Sequence, residues 1–315
     1  MAGATVLLGT VAIAAAGCAP VTEEPARIVA AYQQHVVDGD IEAALELDGS
    51  NHTESEVLLT NAAYAKATDR ISSFEIVGVE VSGDQATVRV QTVQKSGKRL
   101  TQMTLSRKDG RWRLRPASLG FLDVQPGPDG VALAISGQPV PTARQQNLAA
   151  FPGTYELAGA STQDVEVKSA SAKLTGFGVH ATLAPSVSPT PEAQQRVQQA
   201  AMQYLDGCIA QGDRAQWPSC PFRIDTSDRW WTTGTWNILQ LPVIHAEWSP
   251  GCQHGAAFSV GPPGCWSVRS DPFPTSYTAS ADDYEDSTTD PSMSTIWGWT
   301  DSLSAVEFSV SPPTR

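Results

Sequence analysis

Polar and apolar side chains alternate between residues 74 and 114, and turn-forming clusters interrupt the alternation at regular intervals. Residues 86–93 read ATVRVQTV, and the clusters at 82–84, 95–98 and 108–110 each contain a glycine. Period-two alternation is typical of strands with one buried face, and short glycine-containing turns connect antiparallel neighbours. The pattern therefore predicts a meander of four antiparallel strands.

The region before this meander has helical periodicity. An apolar stripe at helical spacing consists of Ile28, Val29, Tyr32, Val36 and Val37. Gly39 predicts a break, Asp40 caps a second helix that runs to Leu47, and residues 54–67 predict a third helix. We therefore expect an α+β fold class, with helices packed on one curved antiparallel sheet.

The order of these elements, with a few residues in them, resembles a known superfamily. The residues that carry the resemblance are Tyr32, Gly39-Asp40, Ala43-Ala44 and the segment Lys108-Asp109-Gly110-Arg111-Trp112. Residues 26–124 resemble the nuclear-transport-factor-2-like, or cone-shaped α+β, superfamily. The closer likeness is to the lumazine-binding-like domains of actinobacterial envelope lipoproteins. The resemblance implies a cone-shaped domain but no activity, because this superfamily includes enzymes, binding domains and spacers.

Three further segments follow this domain. Residues 128–183 predict a small β-sandwich-like module, whose Phe151-Pro152-Gly153-Thr154-Tyr155 motif resembles modules of teicoplanin-resistance-associated envelope proteins and PEGA-type modules. That likeness implies an extracytoplasmic spacer or a wall-contacting unit. Residues 184–191 hold three prolines among Ser and Thr, which predicts a linker. Residues 192–315 predict a second α+β domain, which is rich in tryptophan and contains disulfides.

The chain begins with a short apolar run that ends at a cysteine. Residues 5–17 carry no charge, and Cys18 follows directly. Such a run is shorter than the roughly 20 residues that cross a bilayer core, and it fits the apolar part of an export signal. Ala15-Ala16-Gly17-Cys18 resembles the lipobox of bacterial lipoproteins. The resemblance implies a lipoprotein signal peptide over residues 1–18, acylation of Cys18, and a lipid anchor on the extracytoplasmic face of the cell membrane.

Other interpretations of this N-terminal segment stay open. Residues 1–4 lack the Lys or Arg with which export signals normally begin. An uncleaved anchor, a plain cleavable signal in which Cys18 is incidental, and a cytosolic chain are the alternatives. In the lipoprotein interpretation, residues 19–25 form a tether between the lipid and the first domain.

Four more cysteines lie in the last third of the chain, at Cys208, Cys220, Cys252 and Cys265. An even number of cysteines behind an export signal indicates disulfides formed in an oxidising compartment. Among the possible connectivities we expect the local one, Cys208–Cys220 with Cys252–Cys265, which closes two short loops of similar size. In the chain-entropy description, a loop of that length contributes about 3 kcal/mol.

The formal net charge of −12 at pH 7 argues against nucleic acid as a partner, because phosphate binding needs clustered Lys and Arg. The same charge disfavours loose binding to an anionic membrane or an acidic wall polymer. Membrane attachment is therefore expected to come from the lipid on Cys18. A second contact would be needed for firm anchoring by a single acyl chain.

One basic cluster stands out in this acidic chain: Arg107, Lys108, Arg111, Arg113 and Arg115. The alternation of the three last arginines with Trp112 and Leu114 predicts a strand whose basic side chains face solvent while the two apolar residues face the core. An anion-binding patch is the alternative interpretation.

Eight of the nine tryptophans lie between residues 217 and 299. Large aromatic rings fill small cores, and they also form stacking platforms for sugar rings or peptides. Trp236, Trp248 and Trp266 alternate with polar residues in predicted strands, which favours the core. The candidates for a binding face lie beside turn residues: Trp230, Trp231, Trp297 and Trp299.

Two clusters contain residue types that bind metals. Acidic residues occur at Asp282, Asp283, Glu285, Asp286 and Asp290. This run lacks the glycine that a calcium loop uses for its sharp turn, which favours a solvated loop. Cys252, His254 and Cys265 have no adjacent fourth ligand, and exported thiols oxidise. We expect neither a metal nor a cofactor.

None of the common hydrolase, metalloprotease or phosphate-binding motifs occurs in the sequence. We therefore expect a non-catalytic lipoprotein of the cell envelope that binds or scaffolds another envelope protein or a wall component. The alternative is a small-ligand-binding protein or a hydrolase that uses the pocket of the first domain. Glu75, Glu80 and His35 are the acid or base candidates in that case.

Overall fold

The computed structural model describes residues 23–48, 56–115, 119–140, 146–212, 220–222, 233–250, 264–281, 284–286, 292–300 and 302–309. The chain forms two compact units. The described residues of unit 1 are 23–48 and 71–115, and those of unit 2 are 56–70 and all described residues from 119 onward. Cys18, Trp230, Trp231, Cys252 and His254 lie outside the described residues.

Unit 1 begins with helices α1 (Glu23–Asp38) and α2 (Ile41–Asp48). The predicted break at Gly39 is confirmed, since this residue has a φ of 83°, in the left-handed region that glycine tolerates best. The predicted cap is also present: the Asp40 carboxylate accepts a hydrogen bond from the backbone N–H of Ala43 at 3.4 Å.

The predicted meander follows the helices and is confirmed. Its four strands are antiparallel in chain order, β1 (Ser73–Ser82), β2 (Gln85–Gln94), β3 (Gly97–Lys108) and β4 (Arg111–Leu114). Val88 pairs with Met103, and Leu105 pairs with Leu114. Because cross-strand partners share a face, these apolar side chains form one buried surface.

Helix α1 packs against this buried surface. It contacts β1, β2 and β4, and the Gln33 side-chain amide lies 3.2 Å from the Met103 sulfur. The apolar core of the unit consists of Val29, Tyr32, Val36, Ile41, Ala44, Val88, Val90, Met103, Leu105, Trp112 and Leu114. The opposite face of the sheet carries polar and charged side chains, which in the main stay partly or fully exposed.

Unit 2 contains the third helix, α3 (Asn61–Lys66), which is shorter than the segment predicted over residues 54–67. The Tyr64 hydroxyl donates to the Pro152 carbonyl at 3.3 Å, and Thr68 and Thr154 exchange two backbone hydrogen bonds of 2.9 and 2.7 Å. These bonds connect α3 to the strands that follow residue 150.

Between residues 119 and 189 unit 2 consists of short strands in three small sheets. The strands are β5 (Gly120–Val124), β6 (Leu133–Ile135), β7 (Gln138–Val140), β8 (Gln146–Ala150), β9 (Gly153–Gly159), β10 (Val165–Lys168), β11 (Ala170–Leu174), β12 (His180–Leu183) and β13 (Ser186–Pro189). The sheet orders are β11-β9-β6-β7, β12-β5-β8 and β10-β13. All pairs are antiparallel except β12 with β5, which run parallel.

Aromatic rings fill the centre of this region. Phe151 contacts Tyr64 and Phe177, at ring-centroid distances of 5.9 and 6.3 Å. The Tyr155 hydroxyl is fully buried and donates to the Phe151 carbonyl at 2.8 Å. Burial raises the pKa of this hydroxyl well above its ordinary value, so the hydroxyl stays protonated and remains a donor at neutral pH.

The C-terminal part of unit 2 begins with the longest helix, α4 (Pro191–Ile209), capped by the Thr190 hydroxyl. Its strands are β14 (Thr233–Ile238), β15 (Ile244–Pro250), β16 (Gly264–Ser270), β17 (Phe273–Ala281), β18 (Tyr284–Asp286), β19 (Ser292–Ser294), β20 (Trp297–Thr300) and β21 (Glu307–Ser309). One sheet has the order β14-β17-β18 with β19 also paired to β17, and the other has the order β15-β16-β20-β21.

A disulfide joins Cys208, near the end of α4, to Cys220, with a Cα–Cα distance of 5.7 Å. This half of the expected local pairing is confirmed. Cys265 is also in disulfide form, whereas its predicted partner Cys252 lies outside the described residues.

The expected fold class is wrong. The described part of the chain is mostly β, with 48% strand and 22% helical residues, one long helix and many small antiparallel sheets, rather than helices packed on a curved sheet followed by a second α+β domain. Helical periodicity is visible within one short window of sequence. Short strands instead depend on partners that are distant in sequence: residues 186–189, predicted as linker, form β13 by pairing with β10.

The predicted division into three modules stays a prediction.

Candidate functional site

Two of the three tryptophans predicted for the core of the C-terminal part are buried there. Trp236 is 2% exposed and stacks on Phe222 at 4.7 Å, with Tyr277 tilted against it at 4.9 Å. Trp266 is 1% exposed. Trp248 is partly exposed, lies 5.7 Å from the Trp266 ring, and donates its indole N–H to the Pro126 carbonyl at 3.4 Å. The buried rings of Trp236 and Trp266 cannot offer a face to a ligand.

The predicted tryptophan binding face is described only in part. Trp297 lies in β20 and is partly exposed. Trp299 lies in the same strand, but its side chain is outside the described part of the structure, as are Trp230 and Trp231. The proposal that these four residues form one face therefore stays a prediction.

A different exposed surface occurs beside the Trp236 core. Three aliphatic residues in the segment after β14, Leu239, Leu241 and Val243, are 57%, 66% and 53% exposed. Met293, in β19, is 63% exposed. Side chains of this size usually lie in the core, so a group of them on the surface indicates an interaction site.

Strand pairing places part of this group in one row. The Leu239 N–H donates to the Pro274 carbonyl at 3.0 Å, and Pro274 pairs with Met293 in the register of β17 and β19. Cross-strand partners share a face, so Leu239, Pro274 and Met293 lie side by side on the outer face of the sheet. The opposite face of the sheet points to the core: Trp236, three residues before Leu239, pairs with Tyr277 there, and both side chains are buried. We call Leu239, Leu241, Val243, Pro274 and Met293 the aliphatic surface.

Helix α4 holds the backbone of this surface in place. The Gln198 side-chain amide donates to the Pro242 carbonyl at 2.9 Å and accepts from the Ile244 N–H at 3.2 Å. Gln194 donates to the Ile244 carbonyl at 2.7 Å. These hydrogen bonds fix the segment in one conformation, which lowers the entropy that binding would otherwise cost.

The segment that carries Leu239, Leu241 and Val243 is uncharged. Residues 236–244 contain no charged side chain. His245 follows them and lies 3.1 Å from Asp271 in an exposed ion pair. An apolar centre with a polar rim is the usual arrangement of a protein–protein interface.

The acid and base candidates of unit 1 do not form a catalytic group. His35, in α1, lies 3.5 Å from Asp40, whereas Glu80 lies 3.5 Å from Arg89 on the outer face of the sheet. Glu75 is exposed on that same face. Helix α1 covers the opposite face, so the imidazole and the two glutamates lie on different sides of the sheet.

The described residues contain no group of three His, Cys, Asp or Glu side chains that could hold a metal ion. Of the acidic run, Glu285 and Asp286 lie in β18. Asp282, Asp283 and Asp290 are outside the described residues. Within the same described ranges, no helix is both long and apolar enough to span a bilayer.

No family model matches this chain, and neither a curated protein nor a solved structure is significantly similar to it.

Sequence reasoning missed the aliphatic surface. It predicted a strand over residues 236–241 with Trp236 in the core, and it assigned no role to Leu239 or Leu241. In the structure, β14 ends at Ile238, and Leu239 and Leu241 are exposed. The available signal was the alternation of Leu239, Leu241 and Val243 without any charge, which describes an exposed apolar row as well as a buried one.

Proposed function

We propose that this protein is a non-catalytic lipoprotein of the cell envelope, anchored by a lipid on Cys18, that binds another envelope protein through the aliphatic surface of unit 2. The observation that carries the binding role is the group of large, exposed aliphatic side chains on a segment fixed by α4. The apolar run before Cys18 supports export and lipid attachment. The Cys208–Cys220 disulfide supports an oxidising compartment.

The chemistry of the aliphatic surface favours a protein over a wall glycan. Sugar rings are bound by stacking on aromatic faces, and the rings of Trp236 and Trp266 are buried. Leucine, valine and methionine side chains offer apolar contact area without directional hydrogen bonds. Such a surface fits an apolar patch on another protein.

Placing charges on the aliphatic surface is expected to abolish partner binding. Burying one leucine contributes about 1.5–3 kcal/mol, so Leu241→Glu combined with Val243→Glu is expected to weaken binding by about 100-fold or more. Both positions are exposed, so the fold is expected to lose no more than about 0.5 kcal/mol. Leu100→Glu is the matched control, since Leu100 is 61% exposed in unit 1.

A photo-crosslinking amino acid at position 241, in intact cells, tests this proposal. We expect a discrete adduct with an envelope protein, which is absent when the probe is at position 100 and lost in the Val243→Glu background. Identical adducts from positions 241 and 100, or an adduct that contains only a second copy of this chain, would contradict the proposed partner.

A further inference from the structure

A strip of cations lies on the outer face of the unit 1 sheet. Arg111 and Arg113 alternate in β4 with Trp112 and Leu114, which are 4% and 3% exposed. Lys108 pairs with Arg111 across β3 and β4, so the two side chains share a face. Arg115 continues the alternation, and its N–H donates to the Thr104 carbonyl at 2.9 Å. We call Lys108, Arg111, Arg113 and Arg115 the basic strip.

Among the residues that the structure describes, none supplies an ion-pair partner to the basic strip. All four side chains are exposed, and none of them forms an ion pair with another described residue. Arg89, elsewhere on the same face, does have a partner in Glu80. Arg107 is not part of the strip, because its guanidinium lies over the Trp112 ring at 4.5 Å. Four adjacent uncompensated cations are unusual in a chain with a net charge of −12.

Charge is segregated between the two layers of unit 1. Residues 71–117, which include the sheet, hold nine Lys and Arg against four Asp and Glu. Residues 23–48, which form α1 and α2, hold one Arg against seven Asp and Glu. Helix α1 packs on the face opposite the basic strip, so the unit is basic on its outer sheet face and acidic on its helical side. Such a distribution orients a protein in the field of an anionic surface.

The chain length ahead of α1 limits how far unit 1 can be from a lipid on Cys18. Five residue steps separate Cys18 from Glu23, where α1 begins. At about 3.6 Å per residue they span no more than about 18 Å. A helix is about 10–12 Å across, so this length allows the outer sheet face and the lipid to reach the same membrane surface.

We propose that the basic strip binds the anionic headgroups of the membrane in which Cys18 is anchored. This inference rests on the proposed lipid anchor. A single acyl chain holds a protein only marginally at a membrane, and a basic patch supplies the second contact. The negative net charge does not prevent this contact, since charges farther than about 10 Å from the surface are screened.

Vesicle binding of the full chain tests the proposal, with Cys18→Ser in every sample so that the outcome does not depend on acylation. The probes are phosphatidylcholine vesicles with and without about 30% phosphatidylglycerol. We compare the partition coefficient for vesicles with phosphatidylglycerol to that for vesicles without it. The uncharged residues 5–17 bind both kinds of vesicle equally, so their contribution cancels in this ratio. A failure of lipid attachment is detected separately, by the mass of the natural protein.

Neutralising Arg111, Arg113 and Arg115 to Gln is expected to lower this ratio by about 100-fold, because each surface cation strengthens binding to an anionic leaflet about fivefold. The matched control neutralises Arg27, Lys95 and Arg99, which are exposed in α1 and in and beside the β2–β3 turn, away from the outer sheet face, and which change the net charge equally. We expect the control to stay within about threefold of the parent chain, and about 0.5 M NaCl to abolish the preference of the parent.

Three results would overturn the inference. The first is an unchanged ratio in the arginine variant. The second is an equal loss in the control variant, which would show that only net charge matters. The third is binding of the strip to a soluble acidic polymer, such as polyphosphate, with no preference for anionic vesicles.

Discussion

Replacing Trp236 with alanine is expected to lower the free energy of unfolding of unit 2 by about 3–5 kcal/mol. The ring is 2% exposed and is held between Phe222 and Tyr277 at 4.7 and 4.9 Å, so truncation leaves a cavity that these two rings cannot fill. Denaturant titration followed by circular dichroism measures this loss. A change below about 1 kcal/mol would show that Trp236 is not part of the core.

Trp236→Phe is the informative control for this prediction. It keeps an aromatic ring between Phe222 and Tyr277 but removes the indole N–H, which is buried without a hydrogen-bond partner among the described residues. A buried unpaired donor costs about 1–3 kcal/mol, and its removal offsets part of the lost packing. We therefore expect Trp236→Phe to lose much less stability than Trp236→Ala.

Removing the Cys208–Cys220 disulfide is expected to have the second-largest effect. The bond closes a loop with a sequence separation of 12, for which the chain-entropy description gives about 3 kcal/mol. Both cysteines are buried, at 2% and 0% exposure, so alanine is the replacement that introduces no buried polar group. The double variant Cys208→Ala, Cys220→Ala is expected to unfold at lower denaturant than the parent chain.

Reduction of the parent chain provides a second measurement, because it breaks the Cys208–Cys220 bond and the disulfide of Cys265 together. Reduction is expected to destabilise the parent by at least as much as the double variant, because Cys265 is in disulfide form as well. Equal stability of the parent and the double variant under oxidising conditions would contradict the assigned role of the bond. Far-ultraviolet circular dichroism should also report fraying of α4 in the double variant, since the bond fixes the helix end.

The local structure of unit 1 could be predicted because its signals are local. Gly39 separates two helices at the position where a left-handed conformation is required, and its φ of 83° agrees with that. The alternation in β2 and the turns around Gly83 and Gly110 set the strand register without help from distant residues. Trp112 and Leu114 are buried as their positions predicted.

The fold class could not be predicted, since it depends on many short strands with distant partners. β13 exists because residues 186–189 pair with residues 165–168, and the sequence of residues 186–189 alone, with its serines and Pro189, predicts a linker. Helix α3 has the composition of the earlier helices, yet its Tyr64 hydroxyl bonds to Pro152, a residue 88 positions later. Such pairings are decided by tertiary packing and not by local propensity.

The aliphatic surface was not predicted from the sequence. The abundance of tryptophan indicated a binding face at Trp230, Trp231, Trp297 and Trp299, whereas the aliphatic surface consists of other residues. Strand alternation cannot tell whether the face opposite Trp236 is covered, so it assigns no role to Leu239 and Leu241, which are exposed. Their exposure follows from the end of β14 at Ile238.

Intact-mass analysis of the natural protein, purified from membranes, tests the central claim most directly. The lipid-anchored account predicts a chain that begins at Cys18, carries an acyl modification on that residue, and holds Cys208 and Cys220 in oxidised form. An unacylated chain that retains residues 1–17, with every thiol free, would contradict it.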